Sequence, residues 1–258
     1  MQEADLPLLV SAIKEAGRIA TKFAQQPTKS WDKPGGAGPV TEADLAVNTY
    51  LEEHLRRARP TYGWLSEETE DNADRLACET VFIVDPIDGT RSFVEGSKTW
   101  AHSIAIAHAG VVTAGAIYLP LRDLLYTAAR GTGAWLNGTR METSLKDTLG
   151  TADVLAAKPM LAPEHWPTGV PGFTRAHRPS LAYRLGLVGQ GRFDAMLTLR
   201  PTWEWDVAAG ALIVEEANGT CSNRHGHALR FNNPTPQLDG MIAAGRNMHA
   251  PILRAMGH

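Results

Sequence analysis

Apolar residues recur three or four positions apart near the start of the chain, at Leu9, Ile13, Ala16, Ile19 and Phe23. This spacing predicts an amphipathic helix over about residues 5–25. A second helix is predicted to begin at Thr41, after which apolar residues again fall on one face. The segment between the two helices is rich in Gly and Pro, which predicts an exposed and mobile loop.

The pattern changes to short apolar runs after residue 61. Runs such as VFIVD, HSIAIAH and VVTAGAIYL are separated by turn signals, which predicts a largely antiparallel sheet. After about residue 140, strand-like and helix-like segments alternate. We therefore expect an α/β protein of layered helices and sheets, with an α+β lobe over residues 1–137 and an α/β lobe over residues 138–258.

Composition narrows the class of protein. The 258 residues carry a formal net charge of −3, which provides no bulk attraction to nucleic acid or to an anionic membrane. No apolar run approaches the roughly 20 residues that span a bilayer, and the acidic start lacks the order of a signal peptide. Two cysteines without metal-binding spacing indicate buried, reduced thiols. We expect a cytoplasmic enzyme with no nucleic-acid or membrane partner.

The most informative segment is an apolar run that ends in DPIDGT, residues 85–90. Pro86 interrupts a strand ladder, and Gly89 permits a tight backbone turn. If a helix begins near the second aspartate, the amides of Gly89 and Thr90 point at one spot, as in anion sites at helix N-termini. Carboxylates beside such amides would repel a phosphate unless a divalent cation lay between them. Turn and capping roles for the two aspartates are the alternative.

Three further acidic segments lie at predicted element boundaries, at residues 41–44 (TEAD), 66–69 (SEET) and 203–206 (WEWD). Each alone is also explained by a capping box, a solvated loop or a helix dipole. Together they offer hard oxygen ligands with open positions, which suit Mg²⁺ better than Zn²⁺. Two such ions can activate a water and stabilise the departing oxygen of a phosphate ester.

Residues 40–44, 65–68, 85–90 and 205–210 resemble, in order, the signature segments of the inositol monophosphatase superfamily. The pairing of DPIDGT with a later WDVAAG is highly specific, and the resemblance extends over about residues 8–245. It implies a layered αβαβα sandwich of the inositol monophosphatase and fructose bisphosphatase type. It also implies a Mg²⁺-dependent, often lithium-sensitive phosphatase with two or three metal ions and direct in-line attack by water.

The resemblance also implies roles for individual residues. The expected metal ligands are Glu67, Asp85, the carbonyl of Ile87, Asp88 and Asp206, and the expected catalytic residues are Asp44, Glu67 and Thr90. Asp44 and Thr90 would orient the attacking water. Expected substrate contacts are Asp88, Gly89, Thr90, Arg91, Ser180, Arg184 and Asp206, with Arg178, Tyr183 and Arg200 as further candidates. Lys33, beside the Gly-rich loop at residues 34–38, fits a phosphate contact and a solvated charge equally well.

The substrate is predicted from branch-like details. LSEE at residues 65–68 and PTWEWD at 201–206 are similar to the 3'(2'),5'-bisphosphate nucleotidases, and Leu199 stands where the inositol branch has a Glu for ring hydroxyls. RSF at residues 91–93 departs from the nucleotidases and resembles histidinol phosphatases. We predict hydrolysis of 3'-phosphoadenosine 5'-phosphate, with inositol 1-phosphate and histidinol phosphate as alternatives.

Other classes of function make distinguishable predictions. A zinc hydrolase would need His ligands near the acids, and the acidic segments contain none. A catalytically silent phospholigand-binding protein of the same fold would release no phosphate in the presence of Mg²⁺. Members of the superfamily are often dimers, which leaves a homodimer as an alternative to a monomer.

Overall fold

The computed structural model describes residues 2–36 and 38–258. The α-helices of that part of the chain are α1 Gln2–Ala24, α2 Glu42–Ala58, α3 Thr90–Val94, α4 Leu181–Gly189, α5 Glu204–Glu216 and α6 His249–Ala255. The two helices predicted at the start of the chain are confirmed. Thr41 caps α2 and exchanges hydrogen bonds with Asp44, so that the predicted capping box is also confirmed.

The Gly-rich segment between the first two helices contains two short strands that the sequence did not predict. Strands β1 Ser30–Asp32 and β2 Pro39–Thr41 pair antiparallel, and the turn at Pro34–Gly36 lies between them. The strands were missed because three residues are too few for an alternating pattern. Residue 37 of the predicted mobile loop lies outside the described residues.

The largest sheet contains seven strands in chain order: β3 Gly63–Ser66, β4 Thr80–Asp88, β5 Ala101–His108, β6 Val111–Leu119, β7 Leu124–Ala129, β8 Ala134–Leu136 and β9 Thr139–Arg140. Only β3 and β4 pair in parallel, and every other neighbouring pair in this sheet is antiparallel. The predicted largely antiparallel sheet is therefore confirmed.

The remaining strands are β10 Asp153–Ala156, β11 Thr174–Ala176, β12 Ala195–Thr198, β13 Thr202–Trp203, β14 Gly219–Ser222, β15 Gln237–Leu238 and β16 Met241–Gly245. Five of them form a mixed sheet in the order β11-β10-β12-β16-β14, and β13 pairs separately with β15. The alternation of strands and helices predicted after residue 140 is confirmed.

Alternation along β4 shows how the layers are stacked. Val81 and Ile83 lie in the core shared with α4 and α5, whereas Phe82 and Val84 lie in the core shared with α1 and α2. Side chains on a strand point to opposite faces in turn, so the first sheet is covered by helices on both sides.

The second sheet shows the same alternation. Met241 and Ala243 face α4 and α5, whereas Ile242 and Ala244 face an outer core that includes Ile252 of α6. The layers therefore run α1 and α2, first sheet, α4 and α5, second sheet, α6. This is the predicted αβαβα sandwich.

Helix α5 is buried around nearly its whole circumference, because it lies between the two sheets. Its close approach to its neighbours depends on small residues. A Cβ placed on Gly210 would lie 2.3 Å from Leu185 of α4, and a Cβ placed on Gly115 of β6 would lie 3.0 Å from the Cα of Ala209. A methyl group at Gly210 would overlap Leu185, and one at Gly115 would push Ala209 away, so these glycines allow α5 to pack closely against both neighbours.

The cysteines and the helices bear on two further expectations. Cys78 and Cys221 are both free. Burial is confirmed for Cys221, but it was wrong for Cys78, which is partly exposed at the end of a short 3₁₀ helix. Among the described residues, every helix is too short or too polar to cross a membrane.

Candidate active site

Three aspartates converge where the first sheet meets α5. Asp85 and Asp88 lie at the end of β4, and Asp206 lies in the first turn of α5. One carboxylate oxygen from each lies within 4.8 Å of the others. The predicted convergence of these three acids from distant segments is confirmed, and their role as metal ligands remains a prediction.

An irregularity in the strand ladder brings the two β4 aspartates together. Asp85 pairs with Ser103 of β5 and Asp88 with Ala101, so β4 contains one more residue than β5 over this interval. Such a bulge bends a strand and redirects its side chains. Residues 85 and 88 would point to opposite faces of a regular strand, and the bulge removes that conflict.

Asp85 shows most directly that a cation fits here. Its side chain is 1% exposed, and neither carboxylate oxygen has a hydrogen-bond partner among the described residues. Burial, followed by the charges of Glu67, Asp88 and Asp206, raises the pKa of Asp85 well above its ordinary value. An unpaired buried carboxylate is costly unless a positive charge compensates it. The donor set, made only of oxygens, suits a hard divalent cation.

The other two aspartates have the same electrostatic character. Burial raises the pKa of Asp88 to about 6, although hydrogen bonds from Ser180 and from the amide of Ala182 oppose the shift. Burial and the charges of Asp88 and Glu67 raise the pKa of Asp206 well above its ordinary value. Since the acids repel one another, a bound cation would stabilise all of them together.

Glu67 lines the same cavity but is paired with a lysine. The Nζ of Lys33 lies 2.7 Å from Oε1 of Glu67 and 2.6 Å from Oε1 of Glu68. Burial alone would lower the pKa of Lys33, but its contacts with the two glutamates outweigh burial and raise the pKa. Lys33 is thus a partly buried counter-ion in this structure, which neither sequence-based alternative described.

Lys33 is expected to compete with a cation for Glu67. Lys33→Gln should tighten Mg²⁺ binding about three- to tenfold, because an ion pair of ~1 kcal/mol no longer has to be broken. Calorimetric titration of the substrate-free protein measures this. Lys33→Arg retains the charge and is the matched control. Equal affinities in wild type and Lys33→Gln would contradict the competition.

Asp44 and Thr90, the two residues expected to orient the attacking water, lie within hydrogen-bond distance of each other. Oγ1 of Thr90 lies 3.1 Å from Oδ1 of Asp44 and 3.1 Å from the carbonyl of Ile87. Burial raises the pKa of Asp44 to about 6, against the opposing effect of hydrogen bonds from Thr41. Asp44 can therefore accept a proton near neutral pH.

The predicted substrate contacts divide into two groups. Gly89, Arg91, Arg184 and Arg200 line a cavity of about 910 Å³ that opens from the three aspartates. Ser180 is instead fully buried, and its hydroxyl donates to Oδ2 of Asp88 at 2.6 Å. That geometry gives Ser180 a positioning role and does not support direct contact with a substrate.

The two remaining candidates lie away from the cavity lining. The ring of Tyr183 is buried in the central core, and the guanidinium of Arg178 stacks on Phe193 at 5.7 Å. The lining residues that sequence reasoning missed include Trp203, whose indole is 41% exposed and stacks on Trp205 with ring centroids 4.7 Å apart. An exposed Trp directly before the metal-site helix was the available signal.

Fold and site together define a layered αβαβα protein with a buried carboxylate cluster suited to divalent cations. The model of the inositol monophosphatase family matches residues 1–257. The chain belongs to the inositol monophosphatase family and is a phosphoric monoester hydrolase, as the sequence predicted.

Individual relatives agree with this assignment. The chain is 33% identical over 265 residues to the inositol-1-monophosphatase of Rhizobium meliloti strain 1021, covering 96% of this chain and 94% of that protein. It is 30% identical over 254 residues to the Nus factor SuhB of Escherichia coli strain K12, covering 93% and 90%. The crystal structure of the extragenic suppressor protein suhB from Bartonella henselae superposes with a TM-score of 0.84 at 30% identity, covering 98% of each chain.

Proposed function

We propose that this protein is a Mg²⁺-dependent phosphatase whose preferred substrate is 3'-phosphoadenosine 5'-phosphate. The phosphatase activity follows from family membership, and dependence on a divalent cation is supported above all by the unpaired, buried carboxylate of Asp85. The preference for a nucleoside bisphosphate is supported by the arginines and the exposed indole of the adjoining cavity.

Mg²⁺ would be held by the carboxylates of Glu67, Asp85, Asp88 and Asp206 and by the backbone carbonyl of Ile87. When bound, such ions lower the pKa of a water molecule and offset negative charge on the departing oxygen. The hydroxyl of Thr90 donates to Asp44 and can in turn accept a hydrogen bond from the attacking water. Asp44, with a pKa of about 6, can hold the proton that leaves that water. The amides of Gly89 and Thr90 would contact the phosphate.

The outer cavity favours a second negative charge on the substrate. Arg91, Arg184 and Arg200 line it. Apart from the predicted metal ligands, Glu95 is the one acid among its described lining residues. Guanidinium groups are well matched to phosphate oxygens. A polyol such as inositol needs acceptors for its hydroxyls. Leu199, at the position where the inositol branch has a Glu, is apolar and is buried in the outer core without lining the cavity.

The indole of Trp203 offers a planar surface for a nucleobase. One of its faces stacks on Trp205 at an interplanar angle of 8°, and the strand pair β13–β15 fixes its backbone. Trp203→Ala should raise the KM for 3'-phosphoadenosine 5'-phosphate about 10-fold, because base stacking contributes about 1–3 kcal/mol. The kcat/KM for β-glycerophosphate, which has no ring, should change less than about twofold.

Trp31→Ala is the matched control for this prediction, because Trp31 is similarly exposed, at 44%, but does not line the cavity. The control should leave both substrates unaffected. Equal losses on the nucleotide and on β-glycerophosphate in Trp203→Ala would show that the indole supports the site without contacting the base.

The deciding experiment compares turnover of four substrates at fixed Mg²⁺: 3'-phosphoadenosine 5'-phosphate, inositol 1-phosphate, histidinol phosphate and fructose 1,6-bisphosphate. The nucleotide is expected to have the highest kcat/KM. Inositol 1-phosphate is the second candidate, because the Rhizobium meliloti relative is named for it. A higher kcat/KM for inositol 1-phosphate than for the nucleotide would overturn the proposed substrate but not the phosphatase activity. Absence of phosphate release from all four would favour a silent binding protein.

A further inference from the structure

His102 lies on the neighbouring strand β5, opposite the bulge in β4 that brings Asp85 and Asp88 together. It occupies β5 between Ala101 and Ser103, the residues that pair with the two aspartates. Its imidazole is completely buried, and Nδ1 is hydrogen-bonded to the carbonyl oxygen of Pro86. The side chain of His102 therefore engages the backbone where the regular ladder between the strands is interrupted.

The chemistry of this contact fixes the form of the imidazole. A carbonyl oxygen only accepts hydrogen bonds, so Nδ1 of His102 must donate, and the ring is the Nδ1–H tautomer. Nε2 is then a bare acceptor, and it has no partner among the described residues. Burial lowers the pKa of His102 to about 4, in keeping with a neutral ring.

A role in packing alone does not account for His102. Its Nε2 is buried without a partner, and burying an unsatisfied polar atom costs about 1–3 kcal/mol. An apolar side chain of similar size would fill the same space, beside Trp100, without that cost. The one interaction that an apolar residue would not reproduce is the hydrogen bond to Pro86.

We propose that His102 is a positioning residue for the metal site. Its Nδ1–H replaces the ladder hydrogen bond that the bulge removes, and so fixes the direction of the Pro86 carbonyl. This inference rests on the metal site of the proposed function, because Pro86 lies directly between Asp85 and the Ile87 carbonyl. Nothing in the reaction requires His102 to touch the substrate or an ion.

A hydroxyl also lies beside the neighbouring carbonyl. Oγ1 of Thr90 is 3.1 Å from the carbonyl oxygen of Ile87 and 3.1 Å from Oδ1 of Asp44, and its single proton can be donated to only one of them. Since the proposed function assigns that proton to Asp44, His102 supplies the hydrogen bond that restrains the backbone between the predicted ligands Asp85 and Asp88.

The test compares His102→Leu, which removes the donor, with His102→Asn, which keeps one N–H donor close to the backbone. Calorimetry measures Mg²⁺ affinity without substrate. His102→Leu should weaken Mg²⁺ binding about 10–100-fold, as loss of groups that orient metal ligands does. His102→Asn should recover affinity to within about threefold of wild type, by restoring the hydrogen bond. At saturating Mg²⁺, the KM of His102→Leu should stay near that of wild type.

His249→Leu is the matched control, because His249 is also buried and hydrogen-bonded, to Ser222, but lies in the outer layer of the sandwich. It should leave Mg²⁺ affinity unchanged. Wild-type affinity in His102→Leu, or equal weakening in the Leu and Asn variants, would overturn the positioning role while leaving the phosphatase intact. If wild type itself bound no Mg²⁺, the metal site of the proposed function would fail first.

Discussion

Asp88→Asn is expected to reduce kcat/KM by about 1,000-fold or more, or ~4 kcal/mol, while leaving the fold intact. Oδ2 of Asp88 accepts hydrogen bonds from Ser180 and from the amide of Ala182, both at 2.6 Å. The oxygen of Asn can keep both bonds. Its NH₂ group must then face the other aspartates, where it removes a negative charge and repels a cation.

Phosphate release at saturating Mg²⁺ measures the effect, and circular dichroism with thermal unfolding checks the fold. Glu53→Gln, on the exposed face of α2, makes the same change of charge far from the site and should retain full activity. If Asp88→Asn kept more than a tenth of wild-type activity with an unchanged unfolding midpoint, the proposed metal site would be wrong.

Mg²⁺ is expected to raise the thermal midpoint by about 5–10 °C. At a Mg²⁺ concentration of 100 times Kd, binding to the folded state stabilises it by about 2.7 kcal/mol, and each kcal/mol shifts the midpoint of a chain of this size by about 2–4 °C. Asp85→Asn removes one of the mutually repelling charges. Scanning calorimetry should show a higher midpoint for this variant than for wild type without metal, and little further gain with Mg²⁺.

The dependence of this stability on pH provides a second check. The pKa values of Asp44 and Asp88 are about 6 in the fold, mainly because of burial, against an ordinary value of 3.8. Between these values the folded state binds more protons than the unfolded state, so stability without metal should fall as pH rises from about 4 through about 6. Saturating Mg²⁺ should remove most of this fall. A flat profile without metal would contradict the buried, uncompensated acids.

Local sequence patterns predicted much of the fold. Thr41 and Asp44 lie within one turn of each other, so their capping box could be read directly from the chain. The strand that ends in Asp85 was also visible, because an apolar run followed by Pro has few other interpretations. The helix after it begins at Thr90, with Gly89 at φ 95° as its cap, so Asp88 lies in the strand rather than in the helix.

Contacts between distant segments could not be predicted from local sequence patterns. The hydrogen bond from Ser180 to Asp88 spans 92 residues, and that from Lys33 to Glu67 spans 34. Such pairs depend on how the layers are stacked, which no periodicity encodes. His102 was missed because its function depends on a shift of register between two strands, and the alternating pattern of β5 gives no sign of it. The resemblance to a family supplied the convergence of the aspartates, which local physics alone left open.

The close packing of α5 limits the spacing of the three aspartates. Asp206 is carried by the same helix whose Ala209 and Gly210 press against β6 and α4 without room for another methyl group. A thicker contact on either side would move the whole helix, and its carboxylate would retreat from the pair on β4. The spacing that the three carboxylates would offer to the proposed ion is therefore limited by hydrogen atoms on Gly115 and Gly210, neither of which lines the site.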